Sequence, residues 1–344
     1  MSAGSNLLLS FIVPCYNVER FIQHCLDSIY SCDLLESQYE VICVNDCSPD
    51  NLQDILEQNQ KRHDNLRIVV HEKNKGWGGA RNTGINNANG KFIWFVDADD
   101  SIIGKGVNNL VSRADENNAD VFCFNYRRQD ESGNELTKYE VFQDTPVQDG
   151  ISFVKSVFGN EIVYHMGYVW RFLLRTGYLL SHQMFFPENV CWEDTVYIPK
   201  VLLEADRVGA VNSVLYSYRV NSESVSGVFV KTYPAKLIYE YAFCAGGDLL
   251  RYSENVKDEE LKTAFRDKAI KKYINGFPIH LFRTSRQERK KFHKIIRTRN
   301  SEVKALKNKM TTFNKLLLLP VIGSVLTETA AIFYRCSHRN KRLF

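Results

Sequence analysis

Four short apolar runs in the first hundred residues constrain the fold most tightly. Leu7–Val13, Tyr39–Asn45, Leu66–His71 and Phe92–Val96 are too short for helices and rich in β-branched or aromatic residues. Runs without polar alternation read as strands buried on both faces. Helical spacing fills the gaps. Val18–Ser31 puts Phe21, Ile22, Cys25, Leu26 and Ile29 on one face, a second helix begins near Leu52, and the Gly-rich Asn74–Gly84 leads into a third. This alternation predicts a parallel sheet with crossover helices, spaced for a nucleotide-binding α/β half-domain.

The residues that follow the strands then gather on one sheet edge, where open α/β folds bind ligands. They are Pro14 to Asn17, Asp46, Gly76 to Arg81, and Asp97 to Asp100. Asp97 and Asp99, two apart on an extended chain, point to the same side and repel unless a cation lies between them. A hard divalent ion, Mg²⁺ or Mn²⁺, suits oxygen ligands and also holds substrate phosphates. A polar strand-end turn is the plainer reading of Asp-Asp-Ser. Tyr16 and Asp46 are suited to stack on and hydrogen-bond a base, and Arg81 to meet a carbonyl or phosphate. Taken singly, a packed turn tyrosine, an Asx turn and a solvated helix arginine explain them as well. The glycine-rich segment lacks both GxxxxGK[ST] and GxGxxG, so it is no phosphate loop.

A chain of 344 residues allows one large domain plus a smaller one, or two domains. Its 44% hydrophobic and 24% charged residues support a sizeable core and exclude a disordered chain. Nine cysteines without CxxC spacing read as reduced, mostly buried thiols. Residues 1–6 lead at once into a strand, so no signal peptide is expected. No apolar stretch reaches 18 residues, so neither is a transmembrane helix.

Taken in order, FIVPCYN, VICVNDCSPDN, NKGWGGARNTGINNANGKFIWFVDADD and a later WED resemble the family 2 glycosyltransferases of the GT-A fold, over roughly residues 7–225. The resemblance implies an α/β, Rossmann-like fold with a mainly parallel central sheet flanked by helices. It also implies a metal-dependent enzyme that moves a sugar from a nucleotide-diphosphate donor, usually UDP-linked, with inversion. Nucleotide-sugar contacts would come from Pro14, Tyr16, Asn17, Asp46, Arg81, Asp97, Ala98 and Arg219. Asp99 and Asp97 would hold Mn²⁺ or Mg²⁺. Asn45 stands where many members carry Asp, and Trp77 is bulkier than common, which would narrow the donor pocket.

Transfer to a hydroxyl needs a general base. By resemblance to the family's ED motif that base is Asp194, with Glu193 contacting acceptor or orienting the loop, and Trp192 just before them. Asp194 also suits an N-cap for the helix-like Thr195–Leu203. On the strand Val214–Ser226, Tyr216 and Tyr218 alternate with Ser217 and Arg219. Arg219, with Ser224 and Ser226 nearby, is a diphosphate contact by resemblance, or simply a surface ion-pair partner. Between these segments, Val107–Asn118 reads as a helix, Asp120–Tyr126 as a strand and Gly133-Asn134 as a hairpin turn.

The expected organisation is a catalytic domain over 1–227, with a nucleotide half (1–100) and an acceptor half (101–227), then a helical, basic region over 228–344. From Arg283 onward there are 16 Lys and Arg against 3 acidic residues. These flank the apolar Leu316–Leu326 and Ala330–Tyr334, a combination suited to an anionic membrane surface. A packed helical subdomain with solvated basic faces is the alternative. No nucleic-acid module accompanies the basic run, so nucleic acid is not expected as a partner. The expected setting is cytoplasmic, peripheral on the inner face of the plasma membrane, with a glycan or lipid-linked acceptor in surface-polysaccharide synthesis. A sugar-phosphate nucleotidyltransferase would carry a Gly-rich, Arg- and Lys-containing signature where PCYN stands. A non-catalytic nucleotide-sugar-binding or scaffold protein would have no need of the intact Asp97, Asp99 and Asp194.

Overall fold

The computed structural model describes residues 7–158, 167–188, 193–220, 234–319, 323 and 325–331. Trp192, Ser224 and Ser226 lie outside these residues, as do parts of Leu316–Leu326 and Ala330–Tyr334. The chain forms two compact units, Met1–Asn189 with Glu193–Asn221, and Val190–Trp192 with Ser222–Phe344.

In the first unit the four apolar runs are strands β1 (Leu9–Cys15), β2 (Tyr39–Asn45), β3 (Leu66–Val70) and β4 (Phe92–Phe95). They pair in parallel in the order β3-β2-β1-β4. Helices α1 (Ile22–Tyr30), α2 (Leu52–Gln60) and α3 (Gly76–Asn87) provide the crossovers. β1, β2 and β4 are buried along their whole length, as continuous apolar runs require. Pro14 is tolerated inside β1 because β1 pairs with β4 only as far as Ile12 opposite Phe95. Beyond that point Pro14 owes β4 no donor. The order reverses at β1, and β1 and β4 part just where their site-bearing loops begin. A crevice of this kind is the ligand position of open α/β sheets.

Past β4 the sheet departs from the mainly parallel expectation. β9 (Phe172–Arg175) runs antiparallel between β4 and β6 (Val121–Gln129). β10 (Val208–Arg219) is parallel to β6, and the short β5 (Ser101–Ile102) lies antiparallel to β10. The sheet is therefore mixed: parallel in its nucleotide half, largely antiparallel beyond it. β6 turns at Gly133, whose φ is +86°, into β7 (Glu135–Tyr139), the expected hairpin. β8 (Thr145–Gln148) pairs with β10. Three further helices pack here, α4 (Val107–Glu116), α5 (Gly150–Phe158) and α6 (Thr176–Ser181), and α7 (Asp194–Leu203) carries the ED motif.

Aromatic residues knit the two halves of the sheet. Trp94 packs on Phe11 and Phe124 and donates its indole N–H to the Trp170 carbonyl at 2.8 Å. Trp170 stacks on Tyr216 with ring centroids 4.3 Å apart. Buried Arg171 lies over the rings of Phe142 and Tyr126; burial pulls its pKa down to about 10. α3 sits so close to the sheet that a Cβ on Gly84 would fall 2.2 Å from Ile12 Cγ2.

In the second unit the described residues are helical. The expected helical character of the region after residue 228 is present, in pieces. Pro234–Tyr239 runs through a π-helical segment, Glu240–Ala245, into Gly246–Asn255, and Glu259–Asp267 runs into a second, Lys268–Ile274. Not all of the basic run is solvated. Arg289 is 1% exposed, grips the Glu328 carboxylate through Nε (3.1 Å) and Nη2 (2.9 Å), and so ties helix Arg286–Thr298 to the segment around Thr327. No helix among the described residues is long and apolar enough to cross a membrane.

The close approach at Gly84 gives a paired test. Gly84→Val should destabilise the protein by about 1–3 kcal/mol through overpacking. Gly177→Ala should be neutral or stabilising, because Gly177 meets nothing within 4 Å in α6. Denaturation midpoints of the two variants check both.

Candidate active site

The site begins with α3. Its first turn is held by Asp46 at the end of β2. The Asp46 carboxylate is buried and accepts from the backbone N–H groups of Lys75 (2.8 Å) and Gly76 (2.9 Å). It also pairs with His71 Nδ1 at 2.6 Å, whose Nε2 meets Thr83 Oγ1 at 2.9 Å. Asp46 therefore fixes the glycine-rich loop from inside, and one lone pair on Oδ2 is left for a ligand. His71 is a site residue that sequence reasoning missed. Its only signal was its place at the C-terminal end of a strand, on the same edge as the others. Asn45 suits its position as an amide: Oδ1 accepts from Ser48 N–H (2.9 Å) and Nδ2 donates to Gln53 (2.9 Å). Carboxylate there would lose the second bond.

Pro14 lies near the end of β1, opposite Val44 of β2, and the loop after β1 follows Cys15. Tyr16 is 42% exposed at the crevice. Asn17 adopts φ +55°, with its N–H donated to Ser48 Oγ at 2.7 Å. An asparagine tolerates this left-handed conformation better than most residues.

Arg81 is the centre. One turn into α3, it is 5% exposed, and its guanidinium lies 5.5 Å from the Phe186 ring. Nη2 donates to Asp97 Oδ1 at 2.8 Å, and Nη1 donates to Glu193 Oε1. Arg81 thus joins the loop after β4 to the start of α7, with Glu193 112 residues from Arg81 in sequence. Burial pulls its pKa down, but Glu193, Asp97 and Asp194 outweigh that and hold it above the usual value. Next to it, Asn82 exchanges two hydrogen bonds with the backbone of Phe186 (2.8 and 2.9 Å) and pins the irregular 184–188 segment against α3. Phe186 in turn stacks on Tyr197 of α7 at 3.6 Å.

The three aspartates after β4 have separate duties. Asp100 is 1% exposed and holds the loop to β10: it accepts from Tyr216 Oη and from the Arg219 backbone N–H, both at 2.7 Å. Tyr216 Oη also accepts from Asp97 N–H at 3.1 Å. Ala98 is buried between the two site carboxylates in sequence. Burial, reinforced by Asp97, pushes the Asp99 carboxyl up to about 6. Arg219 donates Nε to the Asp99 carbonyl (3.1 Å) and Nη1 to the Glu131 carbonyl (3.3 Å). The surface ion-pair reading of Arg219 is replaced by one in which it props the aspartate loop through main chain.

Glu193 and Asp194, neighbours in sequence, differ in environment. Glu193 is 3% exposed and engaged with Arg81. Asp194 is half-buried; its Oδ1 is buried and has no hydrogen-bond partner among the described residues. Burial and then the Glu193 charge push the Asp194 carboxyl well above the ordinary range. Asp194 is the first residue of α7, and the N-cap position before it is Glu193, whose side chain makes no cap hydrogen bond. The N-cap alternative is thereby set aside. Among the described residues, no three His, Cys, Asp or Glu side chains surround one point as a complete metal site. Asp97 and Asp99 can supply two ligands. A carboxyl lifted by its neighbour is the condition a divalent cation relieves, and ions held this way take their other ligands from water and substrate phosphates.

The site also predicts a stability effect. Arg81→Met would strand Glu193 and Asp97, one of them fully buried, and should cost about 3–5 kcal/mol. Without Arg81 the folded-state pKa of Glu193 rises further above its unfolded value, about 4.3. The variant's deficit should therefore be smallest at acid pH and grow as pH rises through the folded-state pKa. Urea unfolding of both proteins across pH measures this directly.

The model of Glycosyl transferase family 2 matches residues 10–176. The uncharacterized glycosyltransferase EpsJ of Bacillus subtilis is 33% identical over 233 residues, 64% of this chain and 63% of the relative. The poly(ribitol-phosphate) beta-N-acetylglucosaminyltransferase TarS of Staphylococcus aureus is 26% identical over 270 residues, 77% of this chain and 43% of TarS. The chain spans a little under two thirds of the length of EpsJ and of a second B. subtilis relative, EpsH. Among solved structures, S. aureus TarS 1–349 in complex with UDP-GlcNAc superposes with a TM-score of 0.65 at 22% identity, over 98% of this chain and 92% of that one. The mannosyltransferase PcManGT from Pyrobaculum calidifontis, with GDP-Man and Mn²⁺, superposes with 0.54 at 16% identity, over 96% and 82%. Residues 10–176 form a family 2 glycosyltransferase domain, and the chain has the GT-A fold.

Proposed function

We propose that the chain transfers a sugar from a UDP-linked donor to a hydroxyl of a glycan or lipid-linked acceptor, with inversion, using Asp194 as general base. The observation that carries this reading is the contrast between adjacent carboxylates: Glu193 is taken up by Arg81, while Asp194 keeps a buried oxygen without a hydrogen-bond partner among the described residues. That a neighbouring fold binds UDP-GlcNAc supports the donor class, and so does the acceptor-only Asp46 carboxylate, which suits a base with an N–H to give, as uracil has.

Pro14, Tyr16, Asn17 and Asp46 then form the base side of the donor site, and Ala98 and the aspartate loop the ribose and diphosphate side. Arg81 serves the donor through Asp97 and Arg219 serves it through Asp99, each as a positioning residue. Asp97 and Asp99 would hold a divalent ion, as Mn²⁺ accompanies GDP-Man in the Pyrobaculum neighbour, and the ion would neutralise the charge that builds on the departing diphosphate. The acceptor oxygen attacks the anomeric carbon from the face opposite the diphosphate. Its proton passes to Asp194 as the bond to the diphosphate oxygen breaks, and the configuration inverts.

Asp194→Asn should retain UDP affinity and lose transfer by at least 100-fold, within the usual range for a general base. Turnover equal to wild type would remove Asp194 from the mechanism. The base works deprotonated, and its pKa lies above the ordinary value of about 4. The acid limb of kcat/KM should therefore fall at higher pH than an unperturbed aspartate would impose.

A further inference from the structure

Helix Arg286–Thr298 has two unlike faces. Arg289, Phe292, His293 and Ile296 are buried. Arg286, Lys290, Lys294 and Arg297 are exposed. Positions spaced four, four and three apart fall within one side of a helix, so these four cations make a single straight ridge about 16 Å long. The helix's one acid, Glu288, lies off the ridge, half-buried and paired with Lys291 at 2.7 Å.

A second feature adjoins it. In helix Thr312–Leu317, Phe313 is 46% exposed and Leu316 is 37% exposed. Three residues apart, they share a face, with Lys309 and Lys315 alongside. The Phe313 ring meets Phe282, four residues before Arg286, at 6.4 Å. Asn314 and Thr311 are bonded to Asn275 (3.0 Å each), which fixes this helix on the same body as the ridge. Uncovered aromatic and aliphatic side chains beside a cationic ridge are what an amphiphilic, anionic surface accommodates. A purely hydrophilic polyanion would leave Phe313 and Leu316 without a role.

We infer that the helical unit docks on an anionic lipid leaflet, with the Arg286–Arg297 ridge against the headgroups and Phe313 with Leu316 dipping into the interface. The inference does not use the donor site. It deepens the proposed function only in that a bilayer is where a lipid-linked acceptor is held, so a failure of either reading leaves the other standing.

The test is sedimentation of the full chain with phosphatidylcholine vesicles, with and without about one third phosphatidylglycerol, at low and high salt. Binding should require phosphatidylglycerol and weaken with salt. A headgroup-facing charge contributes about fivefold in partitioning. The triple variant Arg286→Gln, Lys290→Gln, Lys294→Gln should thus bind about 100-fold more weakly, with an unchanged melting temperature because all three positions are exposed. Leu316→Ser should lower binding to a smaller extent, and equally at both salt concentrations. Absence of binding to anionic vesicles, or binding of the triple variant equal to wild type, would overturn the inference. So would a chain that is retained by soluble polyphosphate but not by vesicles.

Discussion

Everything at this site depends on one buried cation. Arg81 is carried on α3, whose start is fastened to β2 by Asp46 and whose body is pressed to β1 at Gly84. From there it holds Asp97 and Glu193, which come from opposite halves of the unit. A buried guanidinium with two carboxylates adds little net stability compared with an apolar core, but removing one member leaves the others uncompensated. The arrangement is better understood as a means of position. Arg81 takes up Glu193, while Asp194 Oδ1 has no hydrogen-bond partner among the described residues.

The sheet explains why these groups meet at all. β1 is the strand at which the order reverses, and its pairing with β4 ends at Ile12, so the crevice opens between Tyr16 and the aspartates. Asp100 then does for the loop what Arg81 does for the helix. Buried between Tyr216 and the Arg219 backbone, it binds the loop to β10, and Arg219 closes the same connection through the Asp99 carbonyl. Asp97 and Asp99 can therefore crowd one another, with the Asp99 carboxyl raised to about 6, because the backbone beneath them is fixed on both sides. Rigid support of this kind is what transition-state stabilisation by fixed charges requires.

How much of this was legible in the sequence follows the range of the interactions. β1 to β4 were readable because each is a parallel strand with its own apolar run, fully buried in β1, β2 and β4, and the hairpin at Gly133 because a turn is local. β9 was not: FLLR sits inside a longer aromatic stretch, and only its nonlocal pairing with β4 and β6 makes it a strand. The same holds within the site. The residue types at Asp46, Arg81, Asp97 and Asp194 announced their chemistry, but not their partners. That Asp46 spends most of its carboxylate on His71 and on the start of α3, or that Arg289 leaves a basic run to pair with Glu328, depends on residues 25 to 39 positions away. Sequence spacing shows which groups reach the sheet edge. Burial decides which of them remain available to a substrate.

The measurement that bears most directly on this account is the thermal unfolding of the protein with UDP, in the presence of Mn²⁺, of Mg²⁺ and of EDTA, alongside Asp99→Ala. A ligand at about 100 times its dissociation constant adds roughly 2.7 kcal/mol to the folded state. The account predicts a rise in melting temperature with UDP and metal together, lost in EDTA and absent in Asp99→Ala. A shift of the same size in the variant, or no shift with any nucleotide, would contradict it.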